Sequence, residues 1–267
     1  MPSLAEYQSE LCQLQDGNDL IRFVYNKKFL TSNLNLKSSV IVFDSSFNPP
    51  TIAHRELIMR TLALECFNMN SVILMLLAVK NADKTIAPAW LPDRLVMMER
   101  FAKDLNHNEI YLAITKCARF VDKAQAIQKF LTEMHDLVFI VGFDTLIRLF
   151  NSKYYTGTTV ANALVDFMSS CKLVCFIRDS AEYGTASSQK QYVTNIRLGI
   201  EKDIPSQWAD RISLYEYEDG NNSSEVELSK VSSTRARQAA EGNQQQSLST
   251  VLTPSVLDYV LKQHLYS

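Results

Sequence analysis

Short apolar runs alternate with amphipathic stretches over most of this chain. The runs have the length and Val, Ile and Leu content of strands that are buried on both faces of a sheet. A strand, helix, strand order makes successive strands parallel and places the crossover helices on the faces of the sheet. The runs are "SVIVFDSSF", "SVILMLLAV", "EIYLAI", "LVFIVG", "KLVCFI" and "RISLYEYE". We therefore predict an α/β fold built on a doubly wound parallel sheet.

The helices of this alternation and the flanking segments set the domain organisation. We expect helices in "IAHRELIMRTLALECF", residues 91–105, "DKAQAIQKFLTEM", "DTLIRLF", "SSTRARQAAEG" and "PSVLDYVLKQHLYS". Residues 180–206 and "EDGNNSSEVELS" are polar and weakly patterned, which predicts surface excursions. Residues 4–30 contain two helix-like stretches, "LAEYQSELCQL" and "NDLIRFVYNKKFL". We predict an N-terminal helical appendage over residues 1–37 and one α/β domain over residues 38–267.

Composition limits the environment and the partners. The net charge of the 267 residues is -2, so no global positive field favours nucleic acid or an anionic membrane. The chain has no apolar run long enough to cross a bilayer, and its start lacks a secretory signal pattern. Its five cysteines are scattered, which favours reduced thiols, and Cys171 and Cys175 are expected to be buried in a strand. We predict a cytosolic or nuclear protein that binds neither nucleic acid nor membrane.

The stretch 44–54, "DSSFNPPTIAH", follows the first apolar run. Ligands of open parallel sheets bind beyond the carboxyl ends of the strands, and a helix start there offers free N–H groups to an anion. Ser45 and Ser46 are small enough for an anion to approach the backbone, while Thr51 and His54 share one helical face. We interpret His54 as a hydrogen-bond donor to a phosphoryl oxygen. The alternative is a partly buried helix residue bonded to a backbone carbonyl.

A second stretch, "KVSSTRARQAAEG", has the same chemistry far away in the sequence. Ser232 or Ser233 is a suitable N-cap, and Thr234 adds a hydroxyl group at the start of the predicted helix. Arg235 and Arg237 supply guanidinium groups that recognise phosphate. The pattern is also typical of a capped helix with solvated charges. It indicates an anion site if this helix start and that of His54 lie at the same edge of the sheet.

A third stretch, "VGFDTL", ends another strand. Gly142 permits close approach of a ligand to the backbone, and Asp144 can accept hydrogen bonds from a sugar hydroxyl or stabilise a helix start. Lys84 and Arg94, in "KNADKTIAPAWLPDR", are the remaining cation candidates near the end of the second apolar run.

Taken in order, these motifs resemble the nucleotidylyltransferase superfamily, and most closely the eukaryotic nicotinamide mononucleotide adenylyltransferases. The family patterns are G-S-F-N-P-x-T-x-x-H, R-x-x-M, G-x-D-x-L and I-S-S-T-x-x-R. The matching residues are Ser46 to Pro49, Thr51 and His54; Arg94 and Met97; Gly142, Asp144 and Leu146; and Val231 to Thr234 with Arg237. The last residues, "VLTPSVLDYVLKQHLYS", also look like the C-terminal helix of that family.

The resemblance implies a Rossmann-like nucleotidylyltransferase fold over residues 38–267 and the synthesis of NAD from ATP and nicotinamide mononucleotide. The mononucleotide phosphate attacks ATP directly in this family, with Mg²⁺ bound to ATP as the cofactor. The implied catalytic residues are His54 and Arg237. The implied ATP and phosphate ligands are Ser46, Phe47, Thr51, Ser232, Ser233 and Thr234. The adenosine ligands would be Gly142 and Asp144, and the mononucleotide ligands Lys84 and Arg94. We add Trp90 as the residue that would stack on the pyridine ring of the mononucleotide, with Trp208, Tyr111 and Phe120 as alternatives.

Two departures from the family pattern leave alternatives open. Ser45 replaces a glycine, and "IYLAITKCARF" lacks the tryptophan that stacks on the pyridine ring in this family. A different phosphate acceptor such as phosphopantetheine, or a different nucleotide such as CTP, is one alternative. Another is an ATP-binding protein with slow hydrolysis that acts through a partner on the N-terminal appendage. Family members often assemble, so a homo-oligomer is also an expectation.

Overall fold

The structure, a computed structural model, describes residues 2–26, 39–64, 71–79, 90–131, 137–216 and 230–267. The strands are β1 (Ile21–Tyr25), β2 (Val40–Asp44), β3 (Val72–Ala78), β4 (Ile110–Thr115), β5 (Leu137–Gly142), β6 (Cys171–Ile177) and β7 (Ile212–Glu216). The helices are α1 (Leu4–Asp16), α2 (Ile52–Leu62), α3 (Leu91–Asp104), α4 (Phe120–Gln128), α5 (Phe143–Leu149), α6 (Val160–Ser170), α7 (Ala186–Arg197), α8 (Ser233–Glu241), α9 (Gln245–Ser249) and α10 (Pro254–Lys262).

The strands form one sheet in the order β1-β4-β3-β2-β5-β6-β7. All neighbouring pairs are parallel except β1 and β4, which are antiparallel. The chain runs from β2 outwards through β3 and β4, then returns to β5 on the other side of β2 and continues to β7. This reversal between β2 and β5 is the topological switch point of a doubly wound sheet. The predicted fold class is confirmed.

Both faces of the sheet are covered, as the continuous apolar strands require. Val40 and Val42 point into one core with α4, α5, α6 and α7, while Ile41 and Phe43 point into the other with α1, α2, α3, α8 and α10. The strand side chains therefore alternate between two buried layers. Cys171 and Cys175 of β6 are fully buried, as predicted, and burial raises the pKa of the Cys175 thiol.

The N-terminal segment is not two helices. The first predicted helix forms as α1, with a capping box between Ser3 and Glu6. The prediction of a second helix in "NDLIRFVYNKKFL" is wrong, because Ile21–Tyr25 forms β1 and pairs with β4. Its β-branched and aromatic residues favour an extended edge strand once a partner strand is available. The predicted domain boundary between residues 37 and 38 lies outside the described residues.

Helix α1 packs on α3 within the same core. The Tyr7 hydroxyl donates a 2.8 Å hydrogen bond to the buried carboxylate of Glu99, which also accepts from Lys103 at 2.7 Å. Burial, followed by the hydrogen bond to Glu99, raises the pKa of Tyr7, so this phenol is a neutral donor at pH 7. Helix α3 covers the apolar face of α1, which a partner protein could otherwise have used.

Three helices, α6, α7 and α9, went unpredicted. Helix α6 has an apolar face, but its segment was not assigned, and α7 lies inside residues 180–206, which we expected to be an irregular excursion. The apolar residues of α7 are sparse, and Val193 and Ile196 supply most of its buried face. The buried amide of Gln189 adds a polar contact, since its Nε2 donates to the Arg178 carbonyl oxygen at 2.7 Å. A polar anchor of this kind leaves no hydrophobic periodicity to detect.

Over the part of the chain that the structure describes, every helix falls short of the length and apolarity needed to cross a bilayer.

Candidate active site

The loop between β2 and α2 lies at the switch point of the sheet. Ser45 follows β2, and its backbone N–H donates to the Leu76 carbonyl oxygen of the neighbouring strand at 3.3 Å. Ser46 is exposed, whereas Phe47 is fully buried with a φ of +44°. A positive φ is uncommon for a bulky residue. It turns the Phe47 ring into the core while Ser46 next to it stays exposed, so an anion can reach this part of the loop.

His54, at the third position of α2, is held by the residue that begins the helix. The Thr51 backbone N–H donates to His54 Nδ1 at 3.0 Å, and Thr51 Oγ1 lies 2.8 Å from the same nitrogen. Because a backbone N–H can only donate, Nδ1 is an acceptor, and the proton of the neutral ring is on Nε2. Nε2 lies 3.2 Å from Ser45 Oγ. His54 is therefore bonded to Thr51 and Ser45 rather than to a backbone carbonyl.

The surroundings of the His54 ring keep it neutral. The rings of Phe43 and Phe47 lie with their centroids 5.5 Å from it. Burial among these apolar groups lowers the pKa of His54 to about 4. The imidazole thus carries no charge at pH 7, and its Nε2–H is a neutral hydrogen-bond donor at the edge of the loop.

The start of α8 docks on the same loop. Ser233 Oγ donates to the Pro49 carbonyl oxygen at 2.8 Å, and Arg237 Nη1 donates to the Asn48 carbonyl oxygen at 2.8 Å. Arg237 Nη2 also donates to Thr234 Oγ1 at 3.1 Å. A guanidinium group has five N–H donors, so those hydrogen bonds orient Arg237 without using its full capacity. The structure brings together the two helix starts that the sequence placed far apart.

Ser232 is the N-cap of α8. Its Oγ accepts from the Arg235 backbone N–H at 3.2 Å, and the Arg235 side chain donates back to the Lys230 carbonyl oxygen at 2.9 Å. Arg235 is thereby directed away from the loop, whereas Arg237 is directed onto it. Of the two arginines in this motif, Arg237 is the one at the site.

Arg94 of α3 adds a second cation. It is 5% exposed, and burial is the largest cause of its lowered pKa. The charge of Tyr266 opposes this shift, and the positive charge of Arg237 adds to it. Tyr266 lies close enough to both arginines that each opposes the rise of its phenol pKa. Two neighbouring guanidinium groups repel each other until an anion lies between them. The positive charge of Arg237, the proposed polyphosphate ligand, thus acts on Arg94, which was predicted as a mononucleotide ligand.

The remaining predicted ligands that the structure describes lie at the end of β5 and at the start of α3. Gly142 ends β5, the strand next to β2, and a Cβ atom at this position would lie 2.7 Å from Asp144 Oδ1. Asp144, in the first turn of α5, accepts from Arg148 Nη2 at 2.6 Å and stays partly exposed. Trp90 is the N-cap of α3 and is 57% exposed. Lys84 lies outside the described residues.

A buried ion pair that no local sequence pattern indicated lies behind the loop. Lys123 Nζ of α4 donates to Asp44 Oδ2 at 2.5 Å, with the two side chains 4% and 13% exposed. Asp44 directly precedes Ser45 but points to the opposite face of the sheet from Phe43 and His54. Lysine is common on solvated helix faces, so nothing in the local pattern marked Lys123 as buried.

A doubly wound sheet with a histidine-bearing helix start at its switch point, and a Ser-Ser-Thr helix start docked on the same loop, defines a nucleotidylyltransferase. The chain is 37% identical over 224 residues to the "Putative nicotinamide mononucleotide adenylyltransferase" of Schizosaccharomyces pombe, covering 83% of each protein. It belongs to the nicotinamide mononucleotide adenylyltransferase family. No protein-family model matches the sequence.

Solved structures agree on the fold. The nicotinic acid mononucleotide adenylyltransferase of Plasmodium falciparum complexed with NaAD superposes with a TM-score of 0.58 at 16% identity. The same enzyme complexed with APC gives a TM-score of 0.57 at 15% identity. Each match covers 86% of this chain and 97% of the other. At such low identity the likeness supports the shared architecture alone.

Proposed function

We propose that this protein transfers the adenylyl group of ATP to nicotinamide mononucleotide, which yields NAD and pyrophosphate. One observation carries the proposal: the helix starts of α2 and α8 meet at one loop, with His54 and Arg237 both fixed to it. Helix starts and arginines bind phosphates, and this convergence suits a chain of several phosphates better than a single one. Membership of the family supports the same reaction.

His54 would act as a hydrogen-bond donor rather than as a base. The attacking oxygen belongs to a phosphate monoester, which is largely ionised at neutral pH and needs no proton removed. The new bond forms between that oxygen and the α-phosphorus of ATP, and the bond to the pyrophosphate oxygen breaks. The neutral Nε2–H of His54 would leave Ser45 and donate to an α-phosphoryl oxygen as charge develops there.

Arg237 would neutralise the leaving pyrophosphate. Its guanidinium is held by Asn48 and Thr234, so it meets the β- and γ-phosphates without losing further side-chain freedom. Arg94 raises the local positive potential from the α3 side. Catalysis then comes from positioning and from charge neutralisation, as is general for transfer between phosphates.

The metal would enter with the nucleotide. Mg²⁺ usually retains several waters and binds one or two carboxylates together with substrate phosphates. Among the described residues no group of three or more His, Cys, Asp or Glu side chains could hold a metal ion. Asp44 and Asp144 are engaged by Lys123 and Arg148. We assign Mg²⁺ to the substrate MgATP.

The adenosine end would lie at β5. Gly142 presents its backbone without a side chain, and the partly exposed Asp144 can accept from a ribose hydroxyl. Trp90 is exposed enough to cover a pyridine ring. We propose nicotinamide as the base, because the Schizosaccharomyces pombe relative is named for nicotinamide mononucleotide. We propose the cytosol or the nucleus as the compartment. Nicotinate mononucleotide and phosphopantetheine are acceptors that the test includes.

The experiment measures pyrophosphate release and product formation by purified protein with MgATP. Nicotinamide mononucleotide, nicotinate mononucleotide and phosphopantetheine are supplied separately. We expect NAD from the first acceptor, and a 10²- to 10³-fold lower kcat for His54→Ala, the range typical of a lost transition-state donor. His107→Ala is the matched control, because His107 precedes β4 and so lies at the amino-terminal ends of the strands, away from the loop between β2 and α2.

Each result has a definite meaning. Full activity of His54→Ala would refute the assigned role of the histidine. If ATP binds but no acceptor releases pyrophosphate, the protein is a nucleotide-binding relative and not an adenylyltransferase. Product from phosphopantetheine alone would retain the reaction class and replace the acceptor.

A further inference from the structure

We propose that Tyr266, near the C-terminal end, positions the polyphosphate site through Asn48 and Arg237. The inference rests on the proposed function, because it assigns a positioning residue to the same ATP site. Its evidence is a direct contact: the Tyr266 hydroxyl donates a 2.7 Å hydrogen bond to Asn48 Oδ1 in the loop between β2 and α2.

Asn48 joins two elements that are remote in sequence. Its side chain is 3% exposed and accepts from Tyr266, while its backbone carbonyl accepts from Arg237 Nη1 at 2.8 Å. The residue is therefore held on the side-chain side by the C-terminal segment and on the backbone side by α8. Freeing the side chain would loosen the carbonyl on which Arg237 rests.

The conformation of Tyr266 supports a specific contact rather than a loose tail. Its φ is +70°, a backbone region that L-residues with large side chains seldom adopt. Such a conformation persists where the surroundings determine it. The phenol is partly buried and lies near Arg94 and Arg237, and burial is the first cause of its raised pKa. It is a neutral donor at pH 7, as the bond to Asn48 Oδ1 requires.

The C-terminal helix does not depend on this contact for its own docking. Tyr259 OH donates to Asp93 Oδ1 at 2.8 Å, and Arg100 Nη1 donates to Asp258 Oδ2 at 3.1 Å, both between α3 and α10. Removing the Tyr266 hydroxyl should leave α10 in place. The contact to Asn48 thus has a role that helix docking does not need.

The test compares Tyr266→Phe with Tyr259→Phe, since each loses one hydroxyl from the same segment. ATP affinity is measured by calorimetry, the melting temperature by circular dichroism, and KM and kcat by NAD formation. We expect Tyr266→Phe to weaken ATP binding about 3- to 10-fold, as for a single lost hydrogen bond. Its KM for the mononucleotide should stay unchanged. Tyr259→Phe should lower the melting temperature and leave ATP affinity unchanged.

A third variant tests the route through the arginine. If Tyr266 acts through Arg237, adding Tyr266→Phe to Arg237→Ala should weaken ATP binding no further. An equal loss in both backgrounds would overturn the route. Wild-type ATP affinity in Tyr266→Phe, or an equal loss in Tyr259→Phe, would overturn the positioning role itself.

The two proposals fail differently. ATP binding can be measured whether or not NAD is made, so a protein that binds ATP without making NAD refutes the function and still decides the role of Tyr266. Absence of ATP binding by the wild-type protein would overturn both.

Discussion

The pKa of His54 makes stability depend on pH in a predictable way. Its value of about 4 in the folded protein lies below the ordinary value of about 6.5, so between these values the unfolded chain binds more protons than the folded one. Stability therefore falls as pH decreases through this window. Below about pH 4 the folded protein has lost the whole difference, and above about pH 6.5 it has lost none.

The size of the effect follows from the two pKa values. One pKa unit corresponds to about 1.4 kcal/mol, so the full difference is about 3 kcal/mol, of which about 2 kcal/mol falls between about pH 7 and pH 4.5. His54→Gln is the matched variant, because glutamine at the third helical position also accepts from the N-cap N–H but does not titrate. The other titrating groups are common to both proteins and cancel in the comparison.

The assay is urea unfolding of both proteins at several pH values in this window. We expect the free energy of unfolding of the wild type to fall about 2 kcal/mol further than that of His54→Gln between about pH 7 and pH 4.5. Parallel stability curves would show that the ring is as readily protonated in the folded protein as in water. The lowered pKa of His54, and the apolar burial held responsible for it, would then be wrong.

Three further predictions address the neighbouring residues. Arg237→Ala should raise the KM for ATP and lower kcat/KM about 10- to 100-fold. Arg237→Lys should restore little of this activity, because lysine lacks the planar guanidinium group. Unchanged steady-state kinetics would contradict the assignment of the α8 start as a phosphate site. Lys123→Met should destabilise the fold by about 3 kcal/mol in urea unfolding, because it leaves Asp44 buried without its cation. The double variant with Asp44→Asn should lose much less stability. Additive losses would exclude the ion pair as the cause. Gly142→Ala should weaken ATP binding in calorimetry because its Cβ would meet Asp144 Oδ1 at 2.7 Å, and unchanged affinity would separate this turn from the nucleotide.

The parallel sheet was predictable because its information is local. Each of β2 to β6 is a largely apolar run, and helical segments separate them, so the chain order alone implies crossover helices on both faces. The start of α8 was predictable for a similar reason, since Ser232 caps the helix through its own backbone neighbourhood.

Elements that depend on a remote partner were not predictable in this way. Residues 21–25 have enough apolar residues at helical spacing to suggest a helix, and their pairing with β4 decides for a strand. Helix α7 relies on the buried amide of Gln189, which a search for apolar periodicity passes over. The ion pair of Asp44 and Lys123 joins residues that no short motif connects.

The sequence by itself determined which chemical groups are available at the site: two helix starts, a histidine and an arginine, each with its local hydrogen-bond partners. Tertiary structure decided that they serve one site, because Arg237 and Ser233 reach the backbone carbonyls of the loop before α2. It also decided the protonation state of His54, since the pKa depends on the apolar rings packed around it. Spacing along a chain fixes which residues neighbour each other in an element, whereas burial and charge depend on elements that pack from elsewhere.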